Sequence, residues 1–165
     1  MQAETVFRNL IKFARASADL YFFWSETFHG DQEAAAIWGK MGTEETGHAN
    51  LVVYQRRILR KSAGQLGDVD AAMEEVALLT DIVQRALEGP PHTLDEAVRL
   101  ASWIEASAAG SELQGALTQA DPDIQKLLQH LGADDRLHVE RLKTFAAGRG
   151  IPLYAPPAKG GTGGS

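Results

Sequence analysis

Glu45-Thr46-Gly47-His48 and, ninety positions later, Asp135-Arg136-Leu137-His138 are the two stretches whose reading decides the fold. Each sets a carboxylate and an imidazole three residues apart. On a helix that spacing turns both side chains to one face, where they can reach one cation. The surrounding residues carry a helical pattern. Ala34, Trp38, Met41, Glu45, His48, Val52, Gln55 and Leu59 alternate steps of four and three, which predicts a helix from Gln32 to about Lys61. Ile124, Leu127, Leu128, Leu131, Asp135, His138, Leu142 and Phe145 form a matching seam, closed by Gly148 and Gly150. Both apolar seams are therefore interrupted by an acid and a histidine. Asp31, and Asp121 ahead of Pro122, are placed to cap the two helices, and they too lie ninety apart. Two helical hairpins related by an internal repeat are expected.

Outward from these seams, Phe7, Leu10, Ile11, Ala14, Ala18, Tyr21, Phe22 and Ser25 or Phe28 predict a first helix from about Ala3 to Phe28. Gly30 stands where a left-handed residue would end it. Gly39, Gly42 and Gly47 each weaken the second helix by ~1 kcal/mol relative to Ala, which suggests either close approach by a neighbour or simple tolerance. A stretch from Val69 to about Leu87, capped by Asp68 or Asp70, carries the stripe Val69, Met73, Val76, Thr80, Val83 and Leu87. Thr93 and Glu96 form a capping box that opens a further helix bearing Ala97, Leu100 or Ala101, Ile104, Glu105, Ala108, Glu112 and Ala116 on one side. Residues 151–165 read as a Pro/Gly-rich flexible or appended tail.

A chain of 165 residues with 44% hydrophobic content is long enough for one sizeable core and shows no second composition regime, so one domain over residues 1–150 is expected. The net charge of −6, with no long basic run, argues against a nucleic-acid partner. Cysteine is absent, which removes disulfides, thiolate metal sites and thiol catalysis. No signal-peptide pattern and no membrane-length apolar run are evident, so a cytoplasmic location without membrane contact is the expectation.

Trp38-Gly-Lys-Met-Gly-Thr-Glu-Glu-Thr-Gly-His48 and Asp134-Asp-Arg-Leu-His138 resemble the rubrerythrin-like branch of the ferritin superfamily, and the resemblance runs over about residues 5 to 147. It implies an all-α fold: a ferritin-like antiparallel four-helix bundle of two hairpins, with the stretch at about 69–88 as an additional crossover helix. A dimer-forming role for that stretch is the alternative. Thr93 to Glu105 resembles the family's third principal helix, which would make Glu105 a ligand. The implied metal ligands are Glu45, His48, Glu105, Asp135 and His138, holding iron, or manganese or zinc, as one or two ions.

The first helix departs from the family pattern. Where a ligand Glu is expected stand Lys12, Phe13, Ala14 and Arg15, with Ala14 the best match by apolar phase. Asp19 points roughly 140° away from Ala14 around the helix. Glu112 is a further candidate ligand. Glu44 is expected off the seam, Tyr21, Tyr54, Trp38 and Trp103 as core or rim residues, and His29, His92 and His130 as solvated. The resemblance implies an oxidoreductase acting on oxygen or peroxide, with a homodimer as the expected assembly and an external electron donor, since no cysteine is present for a rubredoxin-like centre. The rival reading is a non-catalytic helical assembly or partner-binding protein with a vestigial metal site.

Overall fold

The computed structural model describes residues 3–59, 69–109 and 122–153. Among these there are five helices and no strand: α1 (Ala3–Thr27), α2 (Gln32–Leu59), α3 (Asp70–Glu88), α4 (Leu94–Ala109) and α5 (Pro122–Arg149). The expected all-α class holds, and the helix limits agree with the apolar spacing to within a residue or two where the chain is described. Asp121, Glu112 and Ala116 lie outside the described residues, as does most of the tail.

Helix α1 packs along α2 and α3, and α4 packs along α5. Their apolar faces meet in two clusters. One gathers Leu20, Tyr21 and Trp24 with Trp38, Met41, Val83, Ile104 and Leu142, drawing on all five helices. The other joins Phe7 and Ile11 to Val52, Met73, Val76, Ile124 and Leu128. Along α2 the two clusters are separated by Glu45 and His48, and along α5 by Asp135 and His138. The same interval on α1 holds Ala14. The stripe on α3, including Met73, Val76, Thr80 and Val83, is buried, so α1 covers a face that the sequence alone left open to a dimer partner.

The ends of the helices follow local chemistry, with two departures. Asp31 accepts a hydrogen bond from the Ala34 amide at 3.1 Å, capping α2. The capping box of α4 is formed in both directions: Glu96 accepts from the Thr93 amide at 2.9 Å, and Thr93 Oγ1 accepts from the Glu96 amide at 3.2 Å. At α3, however, the N-cap position is Val69 and carries no side-chain cap bond, while Asp70 falls inside the first turn, where its charge favours the helix dipole. Asp68 lies outside the described residues. Gly30 is not left-handed either. Among the described residues only Gly150 has positive φ, at 66°, and it ends α5 by letting the Ile151 amide reach the Ala146 carbonyl at 2.9 Å. The α1–α2 turn closes instead through the Asp31 amide on the Phe28 carbonyl, which requires no left-handed residue.

The three glycines of α2 divide. A Cβ at Gly42 would lie 2.9 Å from the Phe22 ring, and one at Gly39 would lie 3.2 Å from Ser25 Oγ, so both admit α1 closely. Gly47 has open space around it. Gly47→Ala should therefore stabilise the protein by about 1 kcal/mol through helix propensity alone, whereas Gly42→Ala should give no such gain because Phe22 must move. Denaturant unfolding of the two variants checks this; an equal gain in both would contradict the close approach.

Candidate metal centre

Helices α2, α4 and α5 bring Glu45, Glu105, Asp135 and His138 together, each offering one ligand atom, with those atoms all within 4.8 Å of one another. Glu45, Glu105 and His138 are buried, and Asp135 is partly so. His138 Nδ1 lies 3.2 Å from Glu105 Oε2 and 3.3 Å from Glu45 Oε1. His48 stands beside this group, outside the four, with Nδ1 3.4 Å from Glu45 Oε1 and its ring stacked on that of His138 at 5.7 Å. The i, i+3 spacing on α2 and α5 accordingly places an acid and a histidine from each helix at one level.

Further residues close around the cluster. Tyr21 on α1, fully buried and stacked on Trp38 at 5.8 Å, donates its hydroxyl to Glu105 Oε1. Glu44 meets His138 Nε2 at 2.9 Å and takes the Arg141 guanidinium through two contacts, at 2.5 and 3.1 Å. Asp134 meets His48 Nε2 at 2.9 Å and His130 Nε2 at 3.4 Å. Tyr21 had a signal in the sequence, since it follows Ala14 by seven residues on the same face; Glu44 and Asp134 had none beyond being acids next to acids. Of the outlying histidines, His29 is exposed with Nδ1 against the Glu26 carbonyl, while His92, expected to be solvated, meets Trp24 edge-on at 5.7 Å and has a buried Nδ1.

Charge is concentrated where water is scarce. Burial, then repulsion from Glu105 and Glu45, pushes the Asp135 carboxyl well above the usual carboxylate range. Burial also raises Glu105, against the hydrogen bond from His138. In Glu45 burial is outweighed by hydrogen bonds from His138 and His48, and its pKa is lowered. The imidazoles show the converse: burial alone would lower them, but bonding to Glu45 and its neighbours raises His48 to about 9, and bonding to Glu105 and Glu45 raises His138 to about 11. Burial, followed by the nearby charge of Glu105, raises the Tyr21 phenol.

A cavity of about 60 Å³ adjoins the cluster. Glu45, His48 and Asp135 form its polar end, and Leu10, Phe13, Ala14, Val52 and Val76 are among its apolar walls. Ala14 thus faces the cluster across empty space. Asp19 and Arg15 do not: both are exposed and line a separate surface depression with Arg8 and Arg56. Neither substitutes for a ligand from α1.

Because His48 and His138 hold a proton more tightly folded than unfolded, the stability they contribute is whole below about pH 6.5, and is lost as pH rises through about 9 and about 11 respectively. Metal-free protein should therefore lose thermal stability as pH rises from 6.5 to 9. A cation that displaces these protons should bind more tightly over the same interval. Thermal unfolding and zinc titration across that range measure both, and flat profiles would contradict the assignment. Comparison with protein-family models, with curated proteins and with solved structures returned no match, and what the geometry itself provides is a buried group of Glu45, Glu105, Asp135 and His138 that could hold a metal ion.

Proposed function

We propose that the chain is a ferritin-like metal protein of the rubrerythrin-like kind, with Glu45, His48, Glu105, Asp135 and His138 holding iron, or manganese or zinc in its place. In this reading α1, α2, α4 and α5 form the antiparallel four-helix bundle and α3 is the crossover. The observation that carries it is two buried carboxylates, Glu45 and Glu105, and a partly buried third, Asp135, within reach of one another and of an imidazole. Ionised carboxylates in an apolar surrounding require a compensating cation, and oxygen and imidazole donors suit these metals. Asp135, whose carboxyl is raised by burial and then by the neighbouring Glu105 and Glu45, offers a third oxygen donor whose proton a cation would displace.

A bound iron would supply one-electron redox chemistry towards oxygen or peroxide, with reducing equivalents from an external donor. The chain's own residues set the conditions. Tyr21 fixes one oxygen of Glu105, leaving the other turned to His138. The cavity beside Asp135 is dry-walled and admits only a molecule of a few atoms, since about 60 Å³ is well short of the ~150 Å³ that accommodates benzene. Three carboxylates give the ligand set a formal charge of −3, which compensates one divalent ion fully and two incompletely.

A second reading is supported by a different observation. Glu45 and Glu105 already have imidazole partners, and Glu105 a phenol as well, so the cluster also makes sense as a polar core in a non-catalytic helical protein. Anaerobic titration of metal-free protein with ferrous iron separates the two. One tightly held ion is expected; failure to retain any metal after reconstitution would leave only the second reading. Ala14→Glu, which adds a carboxylate from α1 into the cavity, should move the stoichiometry from one towards two and raise reactivity with peroxide. The apo variant should remain folded but lose about 1–3 kcal/mol through overpacking against Phe13 and Leu10.

A further inference from the structure

We infer that Glu44 and Asp134 are a crossed pair of positioning residues, each holding the imidazole of the opposite helix so that its Nδ1 faces the buried carboxylates. The inference rests on reading the cluster as a metal site. In both halves of the repeat the acid immediately before the cluster's own acid is also acidic, giving Glu44-Glu45 with His48 and Asp134-Asp135 with His138. The outer acid of each half reaches across to the other half: Glu44 on α2 takes His138 Nε2, and Asp134 on α5 takes His48 Nε2, both at 2.9 Å.

The chemistry of the ring makes this more than an ion pair. When Nε2–H donates to a carboxylate, the remaining nitrogen, Nδ1, carries the lone pair available to a cation, and the ring cannot rotate without breaking the bond. In both histidines Nδ1 is the inward atom, 3.2 Å from Glu105 and 3.3 Å from Glu45 for His138, and 3.4 Å from Glu45 for His48. The two arms are unequally anchored. Glu44 is gripped at both oxygens by Arg141, and Asp134 is met by His130, whose side chain is 61% exposed. His138 is therefore the more firmly oriented ring. The competing account is that Glu44 and Arg141 form an ordinary interhelical ion pair to which His138 is incidental.

Zinc alone, added to protein labelled with ¹⁵N in histidine, distinguishes these accounts. In the wild type, nitrogen shifts should show zinc on Nδ1 of His138 and of His48, with Nε2 protonated. Glu44→Ala should lower zinc affinity about 10- to 100-fold and mix the coordinating nitrogen of His138 alone; Asp134→Ala should do the same at His48. Glu44→Gln, which keeps an acceptor for Nε2–H, should restore Nδ1 coordination. Arg141→Ala should keep it too, because the Glu44 contact to the ring survives. Zinc bound through Nε2 in the wild type, or unchanged affinity and coordination in Glu44→Ala, would overturn the positioning role while leaving the metal reading intact. A wild type that binds no zinc would overturn the metal reading and this inference with it.

Discussion

Carboxylates from three helices share a space from which bulk water is largely excluded, and the cost of withdrawing them from water, with their mutual repulsion added to it, is the constraint on which the rest of the architecture depends. The chain meets it with a stratified interior. Apolar clusters lie on either side of the polar level along α1, α2, α3 and α5, so the like charges are confined to a thin slab. Within that slab two imidazoles and a phenol face the acids, and the imidazoles hold protons well above their ordinary range. Such a slab is costly unless every group in it is satisfied, which gives its members reason to be held tightly from outside.

Much of this level was legible in the sequence, because a helix converts spacing directly into direction. An acid or histidine that interrupts a three-four apolar stripe must face the interior, and Glu45, His48, Glu105, Asp135 and His138 all do so. Ala14 followed from the same rule, and its place on the cavity wall opposite Glu45 agrees with it. The rule is silent about residues one step off the stripe. Glu44 lies about 100° around the helix from Glu45, a direction that periodicity assigns to solvent. It reaches His138 only because α5 passes beside that face, which is a fact about packing between helices and not about either helix alone. Tyr21 was read as core, and it is core; its hydroxyl partner is eighty-four residues away and invisible to local pattern. The Gly30 expectation failed for a related reason. Glycine permits a left-handed turn without compelling one.

The internal repeat is close at the polar level and loosens away from it. Ninety positions separate the acids and the histidines, yet Arg15, ninety before Glu105, is exposed, and Ala14 takes the inward position instead. The consequence is a cluster supplied by α4 but not by α1, with a cavity on the unsupplied side. The repeat in spacing and the asymmetry of the site are thus compatible, because the one-residue difference in phase turns a charged side chain outward and leaves a methyl group facing in.

The bidentate contact between Asp31 at the start of α2 and Arg149 at the end of α5 sits far from this chemistry, with bonds of 2.5 and 2.9 Å. Hydrogen bonding to Arg149 holds the Asp31 carboxyl well below the usual range, so near neutral pH the acid is ionised and available to the guanidinium. Asp31 precedes Glu45 by fourteen residues and Arg149 follows Asp135 by the same number, so both ends of the contact stand about 21 Å along their helices from the cluster. Equal arms on oppositely running rods make it a registration pin. Sliding α5 by one turn would move its acid and histidine by about 5.4 Å, more than the 4.8 Å that spans the cluster's candidate ligand atoms, and would break the pin, which marks the correct register without touching the site.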